Sequence, residues 1–361
     1  MTRPVLAVVL AAGEGSRMKS SRPKPLHLLC GRPMLFCVLD SLADVDPQRV
    51  VVVVGHAAER VTKKAQSDSG MPLEFVEQRV QRGTGDAVGV ALTAFGHDDE
   101  FDDVDDLLVM PGDQPLLRPS TIGALVARHR ASGAAATLLT AFLGDPTGYG
   151  RVVRDKHGRV ERIVEQKDAT PEQRAITEIN TSIYCFRRSL LAPALRKVEP
   201  NNALGEYYLT DTVEVLTRAG HVVDAMVVDD QSETLGVNDR VQLAQAEAAL
   251  RARINEGWMR KGVTMVDPAS TYIDAGVQIA SDVTLFPGVI LQGSTSIGKH
   301  TEVGPGTRLV DCVVGANVRL DHTTARDCEI GAGAKIGPYV HLAPGAHIAD
   351  GTTVPPFTEL H

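Results

Sequence analysis

Apolar and polar positions along the first two thirds of the chain follow two alternating rhythms. Short aliphatic runs, "VLAVVLAA", "RVVVVVGH", "LEFVEQ" and "DLLVMPGDQPLL", are separated by "RPMLFCVLDSLA", "AAERVTKKAQS" and "TGDAVGVALTAF", whose apolar residues recur at helical spacing. Unbroken aliphatic runs suit strands buried on both faces. The alternation, which continues to about residue 230, therefore predicts an α/β domain: a largely parallel sheet with helices on both sides. Ligands of such sheets collect beyond the carboxyl ends of strands, which directs attention to the loops after Ala12, Glu77 and Met110.

Residues 237–260, "VNDRVQLAQAEAALRARINEGWMR", read as one long helix with Asn238 or Asp239 near its start and Gly262 just past its end. Beyond it the rhythm changes. Ile273, Ile279, Leu285, Leu291, Ile297, Val303 and Leu309 recur at every sixth position, and after an irregular patch Ile330, Ile336, Leu342, Ile348 and Val354 resume the step. That period fits neither helix nor strand and predicts a solenoid of triangular coils, each burying its aliphatic residues by stacking on its neighbours. The expected organisation is an α/β domain over residues 1–236, a linker helix over 237–262 and a hexapeptide-repeat coil over 263–361.

A formal charge of -8 argues against a surface built for a polyanion, so no nucleic-acid partner is expected and any phosphate site must be local. Five cysteines without CxxC spacing suggest neither a disulfide framework nor a zinc knuckle, and fit a reducing, cytoplasmic compartment. No apolar window is long enough to span a bilayer, so no membrane partner is expected.

The densest chemistry lies in "LAAGEGSRMKSSRPKPLH", residues 10–27. A dinucleotide-binding G-x-G-x-x-G would need glycine where Met18 stands, and a Walker A loop would need its lysine elsewhere. The remaining reading is a loop for a nucleoside triphosphate outside both classes. Gly13 and Gly15 would let main-chain N–H groups approach phosphate oxygens, Arg17 would fork onto a phosphate, and Lys24, held in an extended segment by Pro23 and Pro25, would add a compact charge.

This loop resembles the sugar-1-phosphate nucleotidyltransferases, most specifically the N-acetylglucosamine-1-phosphate uridylyltransferases, and the similarity extends from about Val5 to Val354. The resemblance implies a Rossmann-like nucleotidyltransferase domain with a mixed, mainly parallel sheet, followed by a short left-handed parallel β-helix. It implies that Leu10, Ala11, Ala12 and Gly13, with Gln78, Gly83 and Thr84 of "EQRVQRGTGDAV", bind the nucleotide, and that Arg17 and Lys24 are catalytic. Physically, a glutamine amide and main-chain groups can complement the imide edge of uracil. In the same way Asp113 of "VMPGDQPLL" and Asn238 of "LGVNDRVQL" are implied as metal ligands, oxygen donors that suit Mg²⁺. Gly112, Gly150, Glu165 and Asn180 are implied around the amino sugar. Pro111 departs from the family pattern, which more often has a polar or aromatic residue there.

The implied reaction is in-line attack by the phosphate of N-acetylglucosamine 1-phosphate on UTP, with positioning and charge neutralisation carrying catalysis and His27 and His56 left to structural roles. The repeats end at Val354 by this reading, and the family's downstream acetyltransferase coils have no counterpart, so no acetyl transfer is expected; His341 and His347 match no catalytic motif. A homotrimer through the β-helix is expected. The rival readings are an enzyme for another nucleoside triphosphate or hexose phosphate, and a non-catalytic nucleotide-sugar-binding assembly subunit.

Overall fold

The aliphatic run that opens the chain forms the centre of a sheet. In the computed structural model, which describes residues 3–68, 70–95 and 106–360, Val5–Ala11 (β1) sends Val5, Ala7, Val9 and Ala11 into one buried cluster and Leu6 and Val8 into another on the opposite face. Arg49–Val54 divides its valines in the same way, Val50, Val52 and Val54 against Val51 and Val53. A strand covered on both faces has no solvent side, so its interior positions are apolar.

Helix Met34–Asp40 (α1) follows β1, and Arg49–Val54 (β2), Ala58–Asp68 (α2), Glu74–Glu77 (β3), Thr84–Leu92 (α3), Asp106–Pro111 (β4), Pro119–Ser132 (α4) and Ala136–Phe142 (β5) continue the alternation. Then Gly150–Arg154 (β6), Val160–Val164 (β7), Glu178–Arg187 (β8), Arg188–Leu195 (α5), Asp211–Arg218 (α6) and Val223–Val227 (β9) complete the described part of the sheet and its cover. The strand order is β9-β5-β8-β4-β1-β2-β3, with β6 paired to β8 and β7. β1 pairs in parallel with β2 and β4, β2 with β3, and β5 with β9, whereas β8 runs antiparallel between β4 and β5. The sheet is thus mixed and mainly parallel at its centre, and the carboxyl ends of β1, β3 and β4 lie along one edge.

Arg240–Arg260 (α7) is the predicted long helix, beginning three residues later than its sequence pattern suggested. Asp239 Oδ1 accepts from the Gln242 amide at 2.8 Å while Gln242 Oε1 accepts from the Asn238 amide at 2.7 Å. These bonds satisfy amides that the first turn leaves without partners, and they fix the chain around Asn238.

The described residues divide into two compact units, one within Met1–His27 and Pro33–Leu243, the other within Leu28–Arg32 and Ala244–His361. The second unit contains residues 28–32, most of α7 and the left-handed β-helix. Its three parallel sheets have six, six and five short strands, and the inward residues stack in columns such as Ile273, Leu291, Leu309, Ala325, Leu342 and Leu360. The irregular patch is part of the same coil: its inward positions are Leu309, Val314, Leu320, Ala325 and Ile330, so three of these four steps are one residue short. At two of the shortened corners Asp311 and Asp327 take left-handed backbone, φ 54° and 50°, as Asp282, His300 and Asn317 do at full-length corners. The ladder also runs past Val354: Glu359–Leu360 pairs with Val340–Leu342, and half-buried Leu360 packs on the core, correcting the expectation that the repeats stop six residues earlier.

Candidate active site

The loop after β1 leaves the sheet through buried Ala11 and Ala12 and opens at Gly13, where a side chain would meet nothing within 4 Å. Gly15 has a different job. It sits at φ 64°, and a Cβ there would lie 2.7 Å from Lys24 Cβ, so glycine lets the Lys24 segment close onto the loop. The two glycines that the sequence suggested for main-chain approach to phosphate therefore divide the work. Gly13 faces the cavity and Gly15 seats a lysine.

That lysine joins three distant segments. Lys24 Nζ donates to Asp113 Oδ2 at 2.5 Å and to Asn238 Oδ1 at 3.0 Å, and Arg17 Nη2 donates to the same Asn238 oxygen at 3.1 Å. Asp113 reaches this point because the Gly112 amide bonds Leu10 O at 2.8 Å, holding the turn after β4 against the end of β1. The Val237 amide then bonds Asp113 O at 2.9 Å, tying the Asn238 segment to the same turn. Two oxygens that share one ammonium necessarily face one point, and a carboxylate with an amide carbonyl is a donor pair for a hard cation. Among the described residues no group of three or more His, Cys, Asp or Glu side chains is arranged to hold a metal.

The cavity beside this cluster measures about 540 Å³. Leu10, Ala11, Ala12, Gly13, Lys24, Gln78, Gly83, Thr84, Gly112, Asp113, Glu165, Asn180 and Asn238 line it, so thirteen of the fifteen residues expected from sequence share one space. Arg17 stands outside the lining and is joined to it through Asn238. Gly150 is also outside. A Cβ on it would come 3.0 Å from Ile163 Cγ2 and 3.4 Å from both Glu165 carboxylate oxygens, so glycine there relieves crowding chiefly against Ile163, and Gly148 and Tyr149 are the lining residues of that turn.

On one flank Gln78 is almost fully buried, and its Nε2 donates to Gly83 O at 3.1 Å and to Asp86 Oδ2 at 2.8 Å. Both partners are acceptors, so the amide nitrogen faces them and Oε1 remains available as an acceptor. On the other flank buried Asn180 sits at a bulge of β8; its Oδ1 accepts from the Ser182 amide at 3.2 Å, and its Nδ2 donates to the Tyr184 hydroxyl at 2.7 Å. One Nδ2 proton is left for a ligand. Thr210 Oγ1 donates to Glu165 Oε1 at 3.1 Å, but burial outweighs that bond and, with help from Asp211 and Asp168, raises the Glu165 carboxyl above its ordinary range. Burial, with Glu214 and Asp168 behind it, pushes neighbouring Asp211 up to about 6. Burial also raises Tyr149, whose hydroxyl lies beside the Gly236 backbone.

Sequence reasoning missed Gln81, Tyr149, Tyr208 and Thr210, all of which line the cavity. Gln81 Nε2 donates to Ala12 O at 2.7 Å and so fixes the glycine loop from the neighbouring segment. Its place in the same quoted segment as Gln78 was a usable signal; Thr210 offered none. His27 is buried, and desolvation, with Arg240 and Arg22 adding, lowers its pKa, as suits a neutral core residue.

Comparison with known proteins gives the family. Residues 7–204 match the MobA-like NTP transferase domain family, and residues 327–361 match the bacterial transferase hexapeptide (six repeats) family. The bifunctional protein GlmU of Geobacillus sp. (strain WCH70) is 45% identical over 98% of this chain and 75% of its own length. The bifunctional protein GlmU of Streptomyces coelicolor is 46% identical over 99% of this chain and 73% of its own, and that of Thermobifida fusca 48% identical over 91% and 68%. With a nucleotidyltransferase sheet, a left-handed β-helix and such identity along nearly the whole chain, it belongs to the GlmU family of N-acetylglucosamine-1-phosphate uridylyltransferases.

Proposed function

We propose that this chain joins UTP and N-acetylglucosamine 1-phosphate into UDP-N-acetylglucosamine, with release of pyrophosphate, in the cavity bounded by Gly13, Gln78, Asp113 and Asn238. The observation that carries the reading is the shared contact of Lys24 Nζ with Asp113 Oδ2 at 2.5 Å and Asn238 Oδ1 at 3.0 Å, with Arg17 on the same Asn238 oxygen. Cations and hard oxygens gathered beside a glycine loop are what a triphosphate and its counter-ion require.

Asp113 and Asn238 would hold a Mg²⁺ ion, since their oxygens already converge on a cationic centre, the Lys24 ammonium. When bound, that ion supplies Lewis-acid polarisation and charge neutralisation at phosphate oxygens. Lys24 and Arg17 are the fixed cations that offset charge on the triphosphate. Leu10 to Gly13, with Gly83 and Thr84, form the nucleoside wall, and Gln78 Oε1 accepts the uracil N3–H. Glu165 and Asn180 bind the amino sugar, with Gly112 in the cavity wall and Gly150 packed next to Glu165 and Ile163 behind it.

A sugar-phosphate oxygen attacks the α-phosphorus; the new P–O bond forms as the bond to the bridging oxygen breaks, and pyrophosphate leaves with the electron pair. The attacking phosphate is already ionised near neutral pH, so the residues here orient and neutralise, and none need accept a proton. Five cysteines, all buried, accord with a reducing cytoplasm, and no described helix is long and apolar enough to cross a membrane. Exposed Val313 and Tyr339 on the β-helix accord with assembly of a homotrimer through that unit.

The test is a panel of nucleoside triphosphates against sugar 1-phosphates, read by pyrophosphate release with and without Mg²⁺. UTP with N-acetylglucosamine 1-phosphate is expected to exceed every other pair by about a hundredfold or more in kcat/KM, and only with the metal. A different preferred pair would overturn the substrate assignment. Tight UDP-sugar binding without turnover of any pair would instead make the chain a binding subunit.

A further inference from the structure

Helix α3 carries a carboxylate that holds the proposed base-reading amide in one orientation. Asp86 lies in the first turn of α3, its side chain 12% exposed. Its Oδ1 accepts from Arg82 Nε at 3.1 Å and Nη2 at 2.7 Å, and its Oδ2 accepts from Gln78 Nε2 at 2.8 Å. The carboxylate is clamped between a guanidinium and an amide, with an acceptor oxygen turned to each.

This geometry leaves Gln78 one choice. Turning its amide over would set Oε1 where Nε2 now sits, 2.8 Å from a carboxylate oxygen and 3.1 Å from Gly83 O, with no proton in either gap. Two hydrogen bonds would become two oxygen–oxygen contacts. Oε1 is therefore held as the group offered to a base edge. An acceptor there pairs with a ring N3–H, which uracil has; cytosine presents a lone pair at N3, and the two would repel.

We infer that Asp86 is a positioning residue that selects uracil over cytosine by locking the Gln78 amide with its oxygen toward the base. The inference rests on the base-side role of Gln78 proposed above and adds the reason for its polarity. Gly83 O alone favours the same orientation but contributes a single contact. In an Asp86→Asn variant Arg82 would take the new carbonyl oxygen, turning the new NH₂ toward Gln78. Each orientation of Gln78 would then satisfy one neighbour and oppose the other, and the preference would be lost.

The experiment measures kcat/KM for UTP, CTP and 5-methyl-UTP at saturating N-acetylglucosamine 1-phosphate and Mg²⁺, for wild type, Asp86→Asn and Asp86→Ala. Wild type is expected to prefer UTP over CTP; Asp86→Asn should lower that ratio about tenfold or more, and Asp86→Ala by less. The ratio of UTP to 5-methyl-UTP should hold in both variants, because the methylated base keeps the same imide edge, and KM for the sugar phosphate should hold too. Either folded variant suffices. A UTP to CTP ratio within about twofold of wild type, or all ratios moving together as general damage to the cavity would cause, overturns the inference. A wild type that does not distinguish UTP from CTP overturns the base-reading role of Gln78 itself, an outcome distinct from unresponsive variants of a selective enzyme.

Discussion

The sheet unit and the β-helix both bury aliphatic residues almost completely, but they divide packing from chemistry differently. In β1 and β2 successive residues enter clusters on opposite faces, so the core is complete within the strands and the loops at their ends are left to other tasks. Gly13, Gln78, Asp113 and Asn238, far apart in sequence, can then meet around one cavity. In the β-helix each inward residue is covered by the coils on either side, as Leu291 is by Ile273 and Leu309, and the corners between strands belong to the same stack. Thr295 and Thr301 at such corners are fully buried and accept from the Cys312 and Val318 amides of the next coil at 3.2 and 3.1 Å. Sites should therefore tolerate substitution structurally in the first unit, whereas columns of the second should not.

The strongest way to break this contrast is Asp113→Ala. Loss of a charged group from the metal and phosphate cluster should lower kcat by about a thousandfold or more while the thermal melt stays within a few degrees of wild type. A large fall in melting temperature would mean that the cluster also holds the fold together. The converse substitution is Leu291→Ala, which empties a fully buried column position and should destabilise the β-helix by about 3 kcal/mol in denaturant unfolding. Uridylyl transfer below the transition should be unchanged; a matching loss of kcat would show that the cavity depends on the stack.

A smaller effect sharpens the comparison inside the first unit, where Asp211 carries a cost of burial near the site. Its folded-state value of about 6 lies above the ordinary aspartate range, so the folded protein keeps this proton longer than the unfolded chain. The associated stability is present at low pH and is lost as pH rises from about 4 through about 6. Asp211→Asn removes that dependence. The melting temperature of the variant relative to wild type should climb across this window and level off above it; a difference that is flat with pH would show that Asp211 is not desolvated as described.

Much of this architecture was legible because burial leaves a periodic trace. The unbroken valines of β2 mark a strand covered on both faces, and the sixfold step marks the coils. The antiparallel insertion of β8 between β4 and β5 was not legible, since alternation predicts strands but not their neighbours. The five-residue steps at Val314, Ala325 and Ile330 broke the count because a corner can lose one residue without altering the inward column. In the site, residues with local motifs were found, whereas Thr210 and Tyr208 acquire meaning only from Glu165 and the cavity. Gly150 lies outside the cavity lining, where a Cβ would press first on Ile163 Cγ2 at 3.0 Å.

The central claim is that the oxygens of Asp113 and Asn238, now shared by Lys24, form the seat of a divalent cation beside the triphosphate. Electron paramagnetic resonance of Mn²⁺ titrated into the protein with UTP tests it most directly, using wild type, Asp113→Ala and Asn238→Ala. The account predicts a UTP-dependent bound Mn²⁺ signal in wild type that is lost in Asp113→Ala and weakened about tenfold or more in Asn238→Ala. Equal Mn²⁺ affinity in all three proteins would contradict it.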